Sequence, residues 1–283
     1  MKPIIIIGAG RSGTNILRDV LTSFEGVVTW PCDEINYIWR HGNRSYATDQ
    51  FSGEMASDRI SSFIRNEFEK LAQRAGGSMV VEKTCANTLR VPFLHKVFPE
   101  AKFINLVRDG RDVAFSASER WKAPLDFGYL AQKARYVPKS DLFYYASRYF
   151  LNHLHRLTSG KKRVATWGPR FEGMQEVFST RPIEVACAIQ WRICVESAHG
   201  ALEAIPSGQV HSLTYESLTA NPKDEILRLL RFVGVDAGPE IDSKVSSISS
   251  RSVGRWKKLG SEPLRQELEQ EIGETLDRFG YDT

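Results

Sequence analysis

Three clusters in this chain have residue types and spacings suited to binding anions or moving protons. Directly after Ile4, Ile5, Ile6 and Ile7 come Gly8, Ala9, Gly10, Arg11, Ser12, Gly13, Thr14 and Asn15. Small residues let the backbone curl close to an anion, and the amides of Gly13, Thr14 and Asn15 stand where a helix would begin, at the positive end of its dipole. Counting from Gly8 reproduces the spacing of a nucleoside-triphosphate loop, yet Thr14 stands where that loop carries lysine and Asn15 where it carries a magnesium-binding hydroxyl. Arg11 is the cation within the loop. The same residues match the glycine pattern of a dinucleotide fold, although the acidic residue needed about 20 positions further on is not convincingly placed. A plain glycine turn between strand and helix stays open on this motif alone.

The second cluster lies in residues 103–121, FINLVRDGRDVAFSASERW. A buried strand there ends in Arg108, Asp109 and Gly110 make a tight turn, and a helix presents Ser116 eight residues after the arginine. Strand end and helix face would then converge on one anion. The third cluster joins Lys83, in VEKT at 81–84, to Asp33 and Glu34, in TWPCDEINYIW at 29–39. A lysine at the C-terminal end of a strand lies on the ligand side of a parallel sheet.

The elements that must carry these residues are legible as an alternation. Short apolar runs at 4–7, 79–81, 103–107 and 210–213 read as buried strands, each followed by turn or polar residues. Helical periodicity follows the first of them, with Ile16, Leu17, Val20, Leu21 and Phe24 on one face. This pattern predicts an α/β fold: a central parallel sheet flanked by helices. Further helices are expected over 183–204 and at the C-terminus, where Leu264, Leu268, Ile272, Leu276 and Phe279 form a stripe. The region 121–181, rich in Tyr, Trp, Arg, Lys and Pro, gives no clear strand and reads as an insertion covering the active site.

Composition sets the outer bounds. At 283 residues, 42% hydrophobic and 25% charged, the chain is long enough for a large core, and we read one domain over 1–283. The net charge of +4 is mild and the cations are scattered, so no nucleic-acid partner is expected. No segment reaches the about 18 apolar residues of a membrane helix. Cys32, Cys85, Cys187 and Cys194 show no metal-site spacing and read as reduced thiols, which suggests a cytoplasmic protein.

The loop RSGTN together with VRDGRDVAFS resembles the sulfotransferases that use 3′-phosphoadenosine 5′-phosphosulfate (PAPS), in the bacterial-type branch related to carbohydrate and tyrosylprotein enzymes. LTYESLTANPKDEILRLLRFVGV at 213–235 and RSVGRWKKL at 251–259 are similar to that family's later segments, so the resemblance spans roughly two thirds of the chain. It implies a P-loop nucleotide-kinase-like sulfotransferase fold, with PAPS as donor, 3′,5′-adenosine bisphosphate (PAP) as product and no metal. It further implies that Arg11, Ser12, Gly13, Thr14 and Asn15 hold the 5′-phosphosulfate, that Arg108 and Ser116 hold the 3′-phosphate, and that Arg251, Ser252, Gly254 and Lys257 close over it. The late loop is shorter than the Arg-Lys-Gly form of the cytosolic branch.

Sulfuryl transfer needs a base, positive charge on the departing oxygen, and alignment. Arg11 and Lys83 are nominated for the charge. The cytosolic branch has Lys-Thr-His where this chain has Lys83, Thr84 and Cys85, and a neutral thiol is no obvious base. His95 reads as a helix-face residue. Glu34 is the nominated base, by analogy with the glutamate of the tyrosylprotein enzymes, in a half-buried site flanked by Trp30, Tyr37 and Trp39. Asp33 is the alternative, or a helix cap. The acceptor expected is a carbohydrate or other small hydroxylated metabolite, with a tyrosyl peptide second. Trp121, Tyr129, Tyr136, Tyr144, Tyr145, Trp167 and Arg170 are available to stack or cover it, and Arg135, Lys139 and Arg148 to attract a polar one. Two other classes stay open: a P-loop small-molecule kinase and a non-catalytic nucleotide-binding module.

Overall fold

The computed structural model describes residues 1–122, 136–141, 144 and 167–282. Five parallel strands form one sheet in the order β2-β3-β1-β4-β5, with β1 Lys2–Ile7, β2 Val27–Val28, β3 Met79–Lys83, β4 Lys102–Val107 and β5 Val210–Thr214. The central position of β1 explains its unbroken isoleucine run. Ile5 and Ile7 point into a core with α2 (Asn36–Trp39), α3 (Asp58–Ala75) and α4 (Val91–Val97). Ile4 and Ile6 point the other way, into a core with α1 (Thr14–Leu21). A strand covered on both faces has no polar side to show, so alternation disappears. Each of these buried side chains contributes roughly 1.5–3 kcal/mol.

Beyond β4 the chain forms α5 (Gly110–Lys122), α6 (Met174–Thr180) and α7 (Ile183–Leu202). After β5 come α8 (Tyr215–Ala220), α9 (Pro222–Val233), α10 (Ile241–Val245) and α11 (Glu262–Arg278). Buried residues of α9 complete the second core, while α5, α7 and α11 share a third. α7 is apolar on most of its circumference because it lies beneath both α5 and α11.

Every strand read from the sequence is present, lengthened by one or two residues. β2 is an addition: Val27 and Val28 pair with Met79 and Val80, and two residues are too few to display a period. Ser261 takes the N-cap position of α11, but its side chain makes no capping bond. Within 121–181, Trp121 lies in the last turn of α5 and residues 174–180 are helical, while Tyr129, Arg135, Tyr145 and Arg148 lie outside the described residues. Because all strands are parallel, the C-terminal ends of β1, β3, β4 and β5 lie along one edge. β1 sits where the strand order reverses, the place where such sheets bind ligands.

Candidate active site

The loop leaving β1 owes its curl to two left-handed residues, Arg11 at φ 72° and Gly13 at φ 89°. Left-handed backbone is uncommon for a residue with a side chain, and it clusters at functional loops. Space requires glycine at two points of the loop, Gly13 again and Gly8. A Cβ on Gly13 would stand 2.4 Å from the Tyr215 ring, and one on Gly8 would lie 2.7 Å from the Thr14 methyl and 2.8 Å from the Leu106 carbonyl. Thr14, with its methyl against Gly8, is buried at the start of α1. Ser12 is fully buried and its Oγ has no hydrogen-bond partner among the described residues. Arg11 and Asn15 are exposed.

Arg108, at the end of β4, ties three segments together. Its Nη1 donates to the Arg11 carbonyl at 3.0 Å, its Nη2 to the Ser252 carbonyl at 2.5 Å, and its guanidinium lies 4.5 Å from the centre of the Tyr215 ring. The Nε is buried without a partner among the described residues. Ser116 sits on the face of α5 that looks toward the loop, and its Oγ accepts from Arg11 Nε at 3.0 Å. The segment 249–258 folds over this cluster as two short 3-10 turns, Ser250–Ser252 and Arg255–Lys258. Ser252 Oγ is 2.9 Å from the Tyr215 hydroxyl, and Gly254 turns the chain at φ 69°. Arg251 and Lys257 lie on the exposed rim, with Lys257 Nζ 5.8 Å from the Trp256 ring centre.

At the end of β3 the third cluster assembles. Lys83 is nearly fully buried, and its Nζ stands 3.0 Å from Asp33 Oδ1 and 3.6 Å from Glu34 Oε1. Burial opposes its charge, but Cys85, Glu34 and Asp33 outweigh it, so its pKa lies above the ordinary lysine value. The Cys85 thiol is pushed well up by burial and by Glu34, so it is neutral near pH 7, and the two carboxylates carry the effect on Lys83.

Asp33 also takes Arg18 Nη1 at 3.1 Å, so two cations engage one of its oxygens. Glu34 accepts the Cys85 backbone N–H at 3.1 Å, and the neighbouring Ile35 N–H donates to Thr84 Oγ1 at 3.3 Å. These two bonds clip 33–35 onto the strand end. Asp33 is not a helix cap: α2 starts at Asn36 with Ile35 in the N-cap position and no side-chain capping bond.

Other sequence-predicted residues find different surroundings. Trp30 and Trp39 turn into the core, each edge-on to Phe68, and burial raises the Tyr37 pKa. His95 lies on α4 with its ring edge-on to Phe103. Arg170 is tied to Asp49, which accepts its backbone N–H at 2.9 Å. Tyr136 packs on the first core, and Tyr144 donates to the Arg44 carbonyl at 3.2 Å. Trp167 reaches the loop after β1: a Cβ on Gly10 would lie 3.2 Å from its ring and 3.8 Å from Cys85 Sγ. Trp121 stands edge-on to Trp167 at 6.4 Å.

The residues missed by sequence reasoning are those that act on others: Arg18, Thr84, Asp112, and Tyr215 as a wall under the loop. Asp112 had a signal, its place four residues after Arg108, and Thr84 and Tyr215 stand in segments already singled out, VEKT and LTYESL; their contacts with Ile35 and with the β1 loop were not legible, because those partners are distant in sequence. Among the described residues no helix is long and apolar enough to cross a membrane.

No curated protein sequence matches this one. Its fold is similar to a sulfotransferase domain from the curacin biosynthetic pathway, at TM-score 0.58 and 14% identity over 99% of this chain and 98% of that one. It is similar to a sulfotransferase from Alicyclobacillus acidocaldarius (TM-score 0.54, 14% identity, 100% and 97% covered). A mouse sulfotransferase solved in complex with PAP is similar at TM-score 0.52 and 14% identity, covering 98% of this chain and 85% of that one. The model of the sulfotransferase family matches residues 3–166, more than half of the sequence, and the chain belongs to that family.

Proposed function

We propose that this protein transfers a sulfuryl group from PAPS to a hydroxyl of a small acceptor, with Glu34 as base. The observation that carries the reading is the convergence of Arg11, Arg108, Ser116 and Ser252 at one sheet edge, beside Lys83 and its two carboxylates. The site fits a ligand with two anionic ends. Ser12 Oγ and Arg108 Nε are buried polar atoms with unused donor capacity, and the loop 8–13 is a glycine-lined cradle. The PAP in the mouse structure supports the same donor.

When bound, PAPS supplies an activated sulfuryl group on a phosphate leaving group. The amides and Ser12 of the β1 loop hold the 5′ end, while Arg108 and Ser116 hold the 3′-phosphate beneath Arg251, Ser252, Gly254 and Lys257. Lys83 stays cationic throughout the neutral range and, with Arg11, offsets negative charge on the departing phosphate. Asp33, engaged by Arg18 and Lys83, keeps the lysine in place. Glu34, held by the Cys85 N–H, takes the proton of the acceptor hydroxyl. Trp167, at the loop and beside Cys85, favours an acceptor that presents a stackable ring, such as a carbohydrate, ahead of a tyrosyl peptide.

The test is calorimetric titration of PAP, and separately of ATP with magnesium, into the wild-type protein and Arg108→Ala. PAP should bind without metal, and the variant should bind about 100-fold more weakly, the loss of two charge-assisted hydrogen bonds. Binding of ATP with magnesium in place of PAP, or an unaffected variant, overturns the reading.

A further inference from the structure

Asp112 belongs to no step of the reaction, yet its side chain is among the most completely buried carboxylates of the protein, at 1% exposure. A carboxylate in the first turn of a helix is ordinarily solvated or bonded to its own helix's amides. Asp112 uses both oxygens elsewhere: Oδ2 accepts the Gly254 N–H at 2.7 Å and Oδ1 the Trp256 N–H at 2.9 Å, across more than 140 residues of sequence. The same Oδ2 stands 3.6 Å from Arg108 Nη2. Arg108 in turn donates to the Ser252 carbonyl, two residues before Gly254. Trp256 covers the arrangement from outside, its ring 4.0 Å from the Arg111 guanidinium.

We infer that Asp112 is a positioning residue for recognition of the 3′-phosphate: it latches 249–258 onto α5 and aims Arg108. The inference rests on the proposed function, since it is the ligand's 3′-phosphate that Arg108 and the late loop would grip. Burial of an ionised carboxylate is unfavourable unless hydrogen bonds and a counter-charge compensate. Here the compensation comes from two loop amides and the arginine, so loop docking and arginine placement depend on one side chain. Tyr215 makes a second, weaker connection through its hydroxyl to Ser252 Oγ. An asparagine at 112 would keep one acceptor oxygen and turn an NH2 group toward the other loop amide, donor against donor.

The experiment is calorimetric titration of PAP and of adenosine 5′-monophosphate, which lacks the 3′-phosphate, into wild type and Asp112→Asn. The variant should bind PAP about tenfold more weakly or worse, and adenosine 5′-monophosphate within about twofold of wild type, as expected for the loss of one charge-assisted bond. An unchanged PAP affinity in the variant, or an equal loss for both nucleotides, overturns the positioning role. Failure of the wild type to bind PAP is a different result and sinks the cofactor reading itself. Should the variant not fold, amide hydrogen exchange of the wild type decides: Gly254 and Trp256 amides must be protected and slow further with PAP, and free exchange at both overturns the latch.

Discussion

Replacing Lys83 by methionine tests the third cluster without needing to know the acceptor. The side chain keeps an unbranched apolar stem but loses the terminal ammonium, so Asp33 and Glu34 lose a cation that stands 3.0 and 3.6 Å away. Removing one partner of a fully buried ion pair costs about 3–5 kcal/mol. Here Asp33 retains Arg18 at 3.1 Å, and the two carboxylates are 29% and 22% exposed, so water takes up part of the loss. A destabilisation of about 2 kcal/mol at pH 7 follows, read from urea unfolding.

The pH dependence of that difference has a fixed sign. The Lys83 pKa is raised by folding, so its contribution is complete below the ordinary lysine value and is lost as pH rises through the folded one. The gap between wild type and variant should therefore be constant from pH 7 to 9 and shrink above about pH 10.4. A gap below about 0.5 kcal/mol at pH 7, the ordinary effect of a surface substitution, or a gap that widens in alkali, refutes the picture of a buried lysine held by two carboxylates.

Three further outcomes are expected. Glu34→Gln keeps an oxygen for the Cys85 N–H but cannot take a proton, so sulfate transfer from labelled PAPS to a panel of hydroxyl acceptors should fall about 10²–10⁴-fold while PAP affinity stays within about threefold. Gly13→Ala combines φ 89° with a Cβ 2.4 Å from the Tyr215 ring, so PAP binding should be lost and the urea midpoint should fall by the equivalent of about 1–3 kcal/mol or more. For Asp49, burial opposes the charge but Arg90, Arg40 and Arg170 outweigh it, and its pKa lies below the ordinary value. Asp49→Asn should cost about 3 kcal/mol at pH 7, and because a depressed pKa stabilises above the unfolded value, the difference should close only as pH falls below about 4.

Much of the fold, and the placement of the β1 loop and of the Arg108–Ser116 unit, was legible because their determinants are local. Ile4 to Ile7 announce a doubly covered strand, the glycines after them announce a tight turn into a helix, and Arg108 and Ser116 are eight residues apart on one strand-turn-helix unit. A parallel sheet then brings the ends of β1, β3 and β4 to one edge, so Arg11, Lys83 and Arg108 become neighbours by topology. Two adjacent carboxylates, in contrast, are indistinguishable as letters. Packing separates Asp33, which takes Arg18 and Lys83, from Glu34, which takes a backbone amide from the turn after β3. Trp30 and Trp39 look like walls of a site in sequence, but the apolar area of an indole is most favourable in the core, and both lie there against Phe68. Asp112 reads as one more helix carboxylate, and only the folded chain brings Gly254 and Trp256 to its oxygens. Local propensity and hydrophobic period are properties of a window of sequence. The partner of a charge is chosen by which distant backbone the tertiary fold brings to it, and that choice divides the residues that touch a ligand from those that hold them in place.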